Sequence, residues 1–339
     1  MNIKMEANHM PDCCECKTES IIGSPELQFK PITLDVKPLI DSYTKPWMLE
    51  CSDLSFTNLY IWGADGKMEY AEKNHVLYIK LDFKGVPVFL WAPIPKFGVE
   101  VDYRQAVYDG IAYMKKIGVE PTYRSVWTPF KDKMLEVCPE LFTMPTDIAW
   151  DYVYARESLA TLKGKKLHGK RNHINKFLSK YPDYKYRKLD NTMIDDCIAL
   201  YDQWINEKDE EAAKSLQSEK QSVLLALNNM DILGLTGGTI YIEEKLCAFT
   251  VGERLHPHMQ LIHIEKGDTN YDGIFPMINQ QYILHECEDV ELINREEDMG
   301  IEGMRKAKRS YHPLKMIEKY LISTRDLTDV KGIWGHDDE

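Results

Sequence analysis

The chain has 339 residues, 44% of them hydrophobic and 28% charged, and it carries a formal net charge of -12. This composition excludes a disordered or fibrous protein, and the length predicts two domains or one large double unit. The acidity excludes a nonspecific coat for DNA or RNA, although a local basic patch remains able to bind a phosphate-bearing partner.

The sequence also indicates a location. No run approaches the roughly 18 apolar residues of a membrane-spanning helix, so we expect no transmembrane segment. Residues 1–20 are polar and lack the layout of a signal peptide, which predicts a cytoplasmic protein. Cys13, Cys14 and Cys16 have no second ligand pair at zinc spacing, so we expect no metal site and a flexible tail over residues 1–28.

The first half, residues 29–155, alternates strand and helix signals. Hydrophobic periodicity and turn residues locate each element, as at the Lys84-Gly85 turn of a hairpin and at Gly118, which ends a helix. The predicted elements are a strand at 29–34, a helix at 38–43, hairpin strands at 75–83 and 86–92, helices at 103–117 and 129–138, and a strand at 148–154.

The second half, residues 156–326, repeats this plan more clearly. The predicted elements are a helix at 159–179, a strand at 184–189, a helix capped by Asn191, a helix at 211–229, antiparallel strands at 233–242, 246–254 and 259–265, a helix at 273–287, a strand at 290–294, a helix at 301–309 and a strand at 315–324. This order is typical of the GNAT acyltransferase fold. We therefore predict an α+β fold with mixed sheets, in which two similar GNAT-like halves pack together and a tail follows at 327–339.

A basic segment, residues 163–188, contains ten lysines and arginines and one acidic residue. On a helix, spacings of three to four residues place several of these charges along one side. Arginine, asparagine and histidine side by side provide directed hydrogen bonds for phosphate or carboxylate. We predict that the donor's phosphates bind Lys166, Lys170, Arg171 and Asn172. A solvated helix face is the alternative interpretation.

A second charged segment, residues 293–313, runs from a strand through Gly300 into a basic helix. Such a junction commonly delivers functional groups to a cleft. Arg305 and Lys308 lie three residues apart and are expected to face the same cavity, while Asn294 and Arg295 are expected to line the cleft. An ion-paired surface turn is the alternative interpretation of the segment.

A third segment, residues 265–273, joins a central strand to a helix. Acetyl-CoA-dependent enzymes of this fold carry a glycine-rich loop here, whose N–H groups hold the pyrophosphate. After Asn270 this chain has only Gly273, which disfavours a standard CoA site. Asp268 and Asn270 are instead predicted to line a substrate cleft.

The stretches from Gly164 to Phe177 and from Asn294 to Pro313 resemble the DUF2156 family, which is grouped with the C-terminal catalytic domain of phosphatidylglycerol lysyltransferases. The similarity runs from about residue 29 to residue 324. It implies a tandem GNAT-like fold related to aminoacyl-tRNA-dependent transferases, including FemX-like peptidoglycan enzymes. It also implies that Lys308 lies near the reacting centre. Glu265 falls where the relatives have the aspartate of an Asp-x-x-Arg pattern, but Asp268 stands here in place of the arginine.

The resemblance and the residues together predict an acyl-group transferase. We expect it to move an aminoacyl group from aminoacyl-tRNA to an amine or hydroxyl of a lipid headgroup, peptide or small molecule, with no tightly bound cofactor. Lys308 and Arg305 would stabilise charge, and Glu265 or Asp298 would take the acceptor proton. Tyr311 would assist through its hydroxyl.

Two other functions are compatible with the sequence. One is an N-acyltransferase that uses acyl-CoA or another thioester. The other is a non-catalytic protein that binds the acceptor end of tRNA or an anionic lipid, in contact with the membrane surface.

Overall fold

The computed structural model of the chain describes residues 26–63, 67–83, 85–206 and 210–328. Most of the two predicted tails, and with them Cys13, Cys14 and Cys16, lies outside the described residues. Leu27 and Leu327, at the inner ends of the predicted tails, are buried, so the folded body extends to both of them.

Strand and helix alternate along the first part of the chain. The elements are β1 Lys30–Pro31, α1 Lys37–Thr44, α2 Phe56–Ile61, β2 Met68–Lys73, β3 Val76–Phe83, β4 Val86–Leu90, β5 Ile94–Pro95, α3 Tyr103–Lys116, β6 Thr122–Trp127, α4 Thr128–Val137, β7 Phe142–Pro145 and β8 Asp151–Ala155. Local chemistry fixes several ends, as where Asp102 caps α3 by accepting from the N–H of Gln105 at 2.9 Å.

The second part repeats the alternation. Its elements are α5 Arg156–Thr161, α6 His168–Lys180, β9 Lys185–Lys188, α7 Ile194–Asn206, α8 Glu210–Asn228, α9 Met230–Leu233, β10 Leu235–Ile242, β11 Lys245–His256, β12 Met259–Gly267, α10 Ile274–Glu286, β13 Leu292–Asn294, α11 Glu302–Arg309, β14 Lys315–Ile317 and β15 Lys319–Ser323. Among the described residues, no helix is both long enough and apolar enough to cross a membrane.

The strands form two mixed sheets. The first has the order β1-β2-β3-β4-β6-β15-β7, with β5 paired to β3, and the second has the order β14-β8-β13-β12-β11-β10-β9. Each contains one parallel pair, β4 with β6 in the first and β12 with β13 in the second, while the other pairs are antiparallel. The corresponding order in both sheets confirms the predicted α+β class of two GNAT-like units.

The two sheets exchange one strand each. β8, which ends the first half, lies between β14 and β13 of the second sheet, whereas β15, near the end of the chain, lies between β6 and β7 of the first. The single strand predicted at 315–324 is therefore wrong: it is two strands, in different sheets. A division of the chain after residue 155 consequently does not separate the sheets, and one hydrophobic cluster also joins first-half residues to β11, α7 and α8.

The long helix predicted at 159–179 is also wrong, because it is interrupted between α5 and α6. Leu162 and Gly164 adopt positive φ angles of 49° and 93°, which a helix does not tolerate. Lys166 lies in this connecting loop, so it does not share a helix face with Lys170. At the next boundary, the cap of the turn before α7 is Asp190, which accepts from the N–H of Thr192 at 2.8 Å, and not Asn191.

The start of α10 packs directly against α6. Gly273 caps α10 with a φ of 87°, and a Cβ added there would lie 2.5 Å from the backbone oxygen of His173. Only glycine fits such a position. The packing brings α6, and with it Lys170, beside the opening of the second sheet.

Gly273→Ala is expected to destabilise the protein by about 2–3 kcal/mol, because it combines a left-handed conformation with a backbone clash. Gly169→Ala is the matched control, since Gly169 lies in α6 with no atom within 4 Å of an added Cβ. That change should be neutral or stabilise by up to about 1 kcal/mol. Urea unfolding of both variants measures the difference, and equal stabilities would contradict the described packing.

Candidate active site

The site lies where β12 and β13 stop pairing. Their register runs from Met259 opposite Leu292 to Leu261 opposite Asn294, and β12 then continues to Gly267. A β-bulge places His263 as the extra residue of β12, because the partners of Ile262 and Ile264 in β11 are adjacent residues. Beyond Leu261 and Asn294 the two strands separate, and the opening between them holds a cluster of charged and aromatic side chains.

Glu265 lies at the centre of this cluster. Its Oε1 accepts from Arg295 Nη2 at 3.0 Å, and its Oε2 accepts from Asn279 Nδ2 at 2.8 Å. Glu265 and Arg295 are 13% and 12% exposed, so the pair is largely withdrawn from water. Because both oxygens are engaged, Glu265 orients Arg295 and is not a free base.

Arg295 retains one unused donor. Its buried Nη1 makes no hydrogen bond of standard geometry among the described residues, although the Tyr311 side chain also interacts with the guanidinium. Burial disfavours its charged form, but Glu265 and Tyr311 outweigh burial and raise the pKa of Arg295. Its guanidinium lies 4.9 Å from the ring centroid of Tyr311 and 5.8 Å from that of Tyr154. A buried, charged donor without an acceptor is rare and indicates a place for a ligand atom.

Lys170 approaches the same cluster from α6. Its Nζ lies 4.0 Å from the ring centroid of Tyr311, and no described carboxylate is within salt-bridge distance of it. Burial, followed by the nearby Arg295, lowers the pKa of Lys170 to about 8, against the opposing effect of Glu265. A lysine with this pKa exchanges a proton readily near neutral pH.

Tyr311 contacts both Arg295 and Lys170. Its side chain is buried, and its ring meets that of Tyr154 edge to face at 6.3 Å. Burial raises the pKa of Tyr311 to about 12, so the hydroxyl remains protonated at neutral pH.

Lys308 binds the loop that carries Arg295. Its Nζ donates to the carbonyl oxygens of Arg295 at 2.6 Å and Glu296 at 3.2 Å, and also to that of Glu297. These bonds use all three protons of the ammonium group. Burial lowers the pKa of Lys308, with the neighbouring glutamates opposing it. The residue predicted to stabilise charge at the reacting centre therefore fixes the shape of the adjacent loop.

Asp298 and Arg305 form a saturated ion pair. Asp298 accepts from Arg305 Nε at 2.8 Å, from Tyr152 Oη at 2.6 Å and from the N–H of Gly300 at 2.9 Å. Burial opposes ionisation of Asp298, but these bonds outweigh it and lower the pKa of the carboxyl group. In the structure, both residues therefore fit the alternative interpretation of this segment, an ion-paired turn.

Asn294 belongs to a buried seam between the halves. Its Nδ2 donates to Asp151 Oδ2 at 3.0 Å and to the backbone oxygen of Glu50 at 2.9 Å. Asp151 also accepts from Lys319 Nζ at 2.7 Å and from the N–H of Ser52 at 2.8 Å. Lys319 and Asp151 are fully buried, so this network connects β8, β13 and β15 without contact to solvent.

Asp268 and Asn270 close the turn between β12 and α10. Asp268 accepts from Lys245 Nζ at 3.0 Å, from the N–H of Asn270 at 3.0 Å and from Gln203 Nε2 at 3.3 Å. It is 2% exposed. The two residues predicted to line the cleft thus bind each other, Asp268 also binds β11 and α7, and none of these hydrogen bonds involves Arg295.

The predicted donor-binding residues do not form one cluster. Arg171 Nη1 donates to the carbonyl oxygens of Leu162 and, at 2.7 Å, of Gly164, so it shapes the loop before α6. Asn172 is exposed and lies 3.1 Å from His168 Nε2. Lys166 is exposed on the loop. Of the four, Lys170 is the one that reaches the Arg295 cluster.

Some residues of the site and seam have no place in the sequence-based prediction. Asn279 is buried within the otherwise apolar face of α10, and Asp151 stands among the aromatic residues of β8. In the sequence, the signal that could have identified them is a single polar residue within an apolar element. Burial of an unpaired polar group is costly, so such a residue is expected to have a hydrogen-bond partner. The described residues contain no group of three or more histidines, cysteines or acids placed to hold a metal ion.

The sheet order and the cluster in the opening define the class as a tandem GNAT-like protein of the acyltransferase fold. Residues 48–323 match the family described as phosphatidylglycerol lysyltransferase, C-terminal, and the chain belongs to that family. A conserved protein of unknown function from Bacteroides thetaiotaomicron is 33% identical, with a TM-score of 0.81 over 88% of this chain and 100% of that one.

More distant structures share the fold alone. The C-terminal domain of a putative lysylphosphatidylglycerol synthetase from Agrobacterium fabrum is 13% identical, with a TM-score of 0.59 over 86% of this chain and 92% of that one. L-PGS from Bacillus licheniformis is 12% identical, with a TM-score of 0.57 over 84% of this chain and 93% of that one.

A sequence relative matches part of the chain. An uncharacterized Mycoplasmoides gallisepticum protein is 28% identical over 174 residues, which span 51% of this chain and 55% of that protein.

Proposed function

We propose that the protein transfers an aminoacyl group from aminoacyl-tRNA to an amine or hydroxyl acceptor. The observation that carries the proposal is the unpaired Nη1 of buried Arg295 beside Lys170, whose pKa is about 8. One group is suited to stabilise an oxyanion, and the other to move a proton. Membership of the lysyltransferase family supports an activated aminoacyl ester as the donor.

In the first step, the acceptor's nitrogen or oxygen attacks the ester carbonyl carbon. Neutral Lys170 takes the proton that the nucleophile loses, and the carbonyl oxygen becomes negatively charged. Arg295 Nη1 donates to this oxyanion, and the ammonium newly formed on Lys170 adds a second positive charge. The site is preorganised for this charge because Glu265, which is itself held by Asn279, already binds the guanidinium.

In the second step, the tetrahedral intermediate collapses. The bond between the carbonyl carbon and the ribose oxygen breaks, and the Lys170 ammonium returns its proton to that oxygen. The products are the acylated acceptor and uncharged tRNA, and Lys170 is neutral again. Lys308, Asp298 and Arg305 take no part in this chemistry and hold the loop that presents Arg295.

The loop before α6 is the proposed contact for the donor's phosphates. Lys163, Lys165 and Lys166 are exposed there, and the described residues place no carboxylate in salt-bridge distance of them. Arg171 fixes the loop through its carbonyl contacts. Lysine contacts to phosphate release counterions, so donor binding is expected to weaken steeply with salt.

Acyl-CoA ranks second as the donor. In GNAT enzymes the pyrophosphate binds at the helix start that corresponds to α10, and here the backbone of His173 packs against Gly273 at that point. The pure protein should be mixed with charged tRNAs, acyl-CoAs and total lipid extract, and the products analysed by mass spectrometry. Transfer from tRNA supports the proposal. Transfer from CoA alone, or saturable tRNA binding without transfer, contradicts it.

The transfer rate is expected to rise with pH through about 8, because the neutral form of Lys170 is the base. Lys170→Met should remove this dependence and lower the rate by about 100-fold to 10,000-fold. Lys176→Met, on the exposed side of the same helix, is the control and should behave like the wild type. The profile is measured between pH 6.5 and 9 after subtraction of uncatalysed ester hydrolysis. An unchanged profile in Lys170→Met would contradict the assignment.

A further inference from the structure

His263 joins two glutamates of the second half, one on β11 and one in the loop after β13. Its Nδ1 lies 2.9 Å from Glu296 Oε1, and its Nε2 lies 3.1 Å from Glu253 Oε1. The side chain is 1% exposed. The β-bulge turns His263 towards these residues, while Glu265, two positions further along β12, contacts Asn279 and Arg295.

Glu296 is the next residue after Arg295, and its backbone is strained. Its φ is 56°, a left-handed conformation that a non-glycine residue adopts only when its surroundings impose it. Besides the bond from Lys308 to its carbonyl oxygen, contacts of its N–H and of its side chain hold this conformation. Its N–H donates to Asn294 Oδ1 at 2.7 Å, and its Oε1 accepts from Asn58 Nδ2 of the first half at 2.9 Å, in addition to contacting His263.

We propose that His263 is a positioning residue for the transfer site: its two hydrogen bonds connect Glu296 to Glu253 of β11 and thereby fix the direction of Arg295. This inference rests on the proposed function. It also assigns a role to the first half, since Asn58 supplies one of the contacts that hold Glu296. We call the contacts of His263 with Glu253 and Glu296 the clamp. Loss of the clamp would let the loop relax, and Arg295 Nη1 would no longer be held over the reacting carbonyl.

The arrangement requires the charged form of the ring, because both nitrogens must carry protons to donate to two carboxylates. The charged groups that face the ring are Glu253 from β11 and Glu296 from the loop after β13. Burial disfavours the charged form, but the two glutamates outweigh it and raise the pKa of His263 to about 9. The folded-state pKa exceeds the usual value near 6.5, so the clamp stabilises the protein fully below about pH 6.5 and is lost as pH rises through about 9.

His263→Gln keeps one donor of the pair and is expected to lower the transfer rate about 100-fold, with little change in KM for the donor. His258→Gln is the matched control. His258 also meets a glutamate, Glu291, at 3.3 Å, but both side chains are more than half exposed. A wild-type rate for His263→Gln would overturn the inference, as would an equal loss for His258→Gln.

Thermal unfolding between pH 6 and 10 tests the clamp independently of transfer. The wild type and His258→Gln should lose stability as pH rises through about 9, whereas His263→Gln should not show this loss. The same alkaline loss in all three proteins would overturn the inference even if no transfer is detected. If His263→Gln does not fold, an NMR titration of wild-type His263 decides: a midpoint near 9 supports the clamp, and one at or below 6.5 contradicts it.

Discussion

Arg295→Lys is expected to lower the transfer rate by about 100-fold to 1000-fold, the cost of losing one oxyanion donor. Lysine keeps the positive charge that pairs with Glu265. It lacks the planar fork, however, so it cannot bind Glu265 with one nitrogen and present a second, separate nitrogen to the substrate. The loss should appear in kcat, since Nη1 is used where negative charge develops.

Arg254→Lys is the matched control for this change. Arg254 binds Asp289 through two nitrogens, at 3.0 Å and 2.5 Å, and this pair is exposed. The control should retain wild-type transfer, and both variants should keep a folded baseline in circular dichroism. A normal kcat for Arg295→Lys would contradict the assignment of Arg295 to the oxyanion.

Lys319→Met is expected to destabilise the protein by about 3–5 kcal/mol. The change leaves the fully buried Asp151 and the partly buried Asp53 without their ammonium partner, and a buried carboxylate without a counter-charge is strongly destabilising. Because β15 lies in the first sheet and Asp151 in the second, the loss should affect both sheets in one unfolding transition.

Lys315→Met is the control for the seam. Lys315 pairs with Glu50 at the surface, 40% and 24% exposed, and such pairs contribute about 0–1 kcal/mol. Adding Asp151→Asn to Lys319→Met should recover part of the lost stability, because the uncompensated charge is removed. Urea unfolding measures all four proteins. Equal losses for Lys319→Met and Lys315→Met would contradict a buried seam.

The sequence predicts the order of elements well, because periodicity and turn residues are local properties. The exchange of β8 and β15 is different. Residues 315–323 have the composition of a strand whichever sheet they join, and the change of sheet at Glu318 depends on partners more than 150 residues away. In α5 and α6 the apolar spacing continues through Leu162 and Leu167, which hides the break at Gly164.

The roles of the charged residues are likewise only partly predictable from the sequence. Charge near a turn predicts a cleft position for Asp298 and Arg305, and the family resemblance implies that Lys308 lies near the reacting centre, but sequence does not reveal which charges already have partners. All three bind the loop itself. Lys170 was predicted to bind phosphate, and the approach of its ammonium to Tyr311 depends on the packing of α6 against α10. For Glu265, the family resemblance supplies the prediction of a place in the site.

Movement of an aminoacyl group from tRNA by this site can be followed with a labelled donor. tRNAs bearing isotope-labelled amino acids are incubated with the protein and a mixed acceptor extract, and label that leaves the tRNA for an acceptor is counted at single turnover. We expect label transfer by the wild type and by Lys176→Met, and at least about 100-fold slower transfer by Arg295→Lys and Lys170→Met. Label that stays on the tRNA, or transfer that is equally fast in all four proteins, would contradict the proposed function.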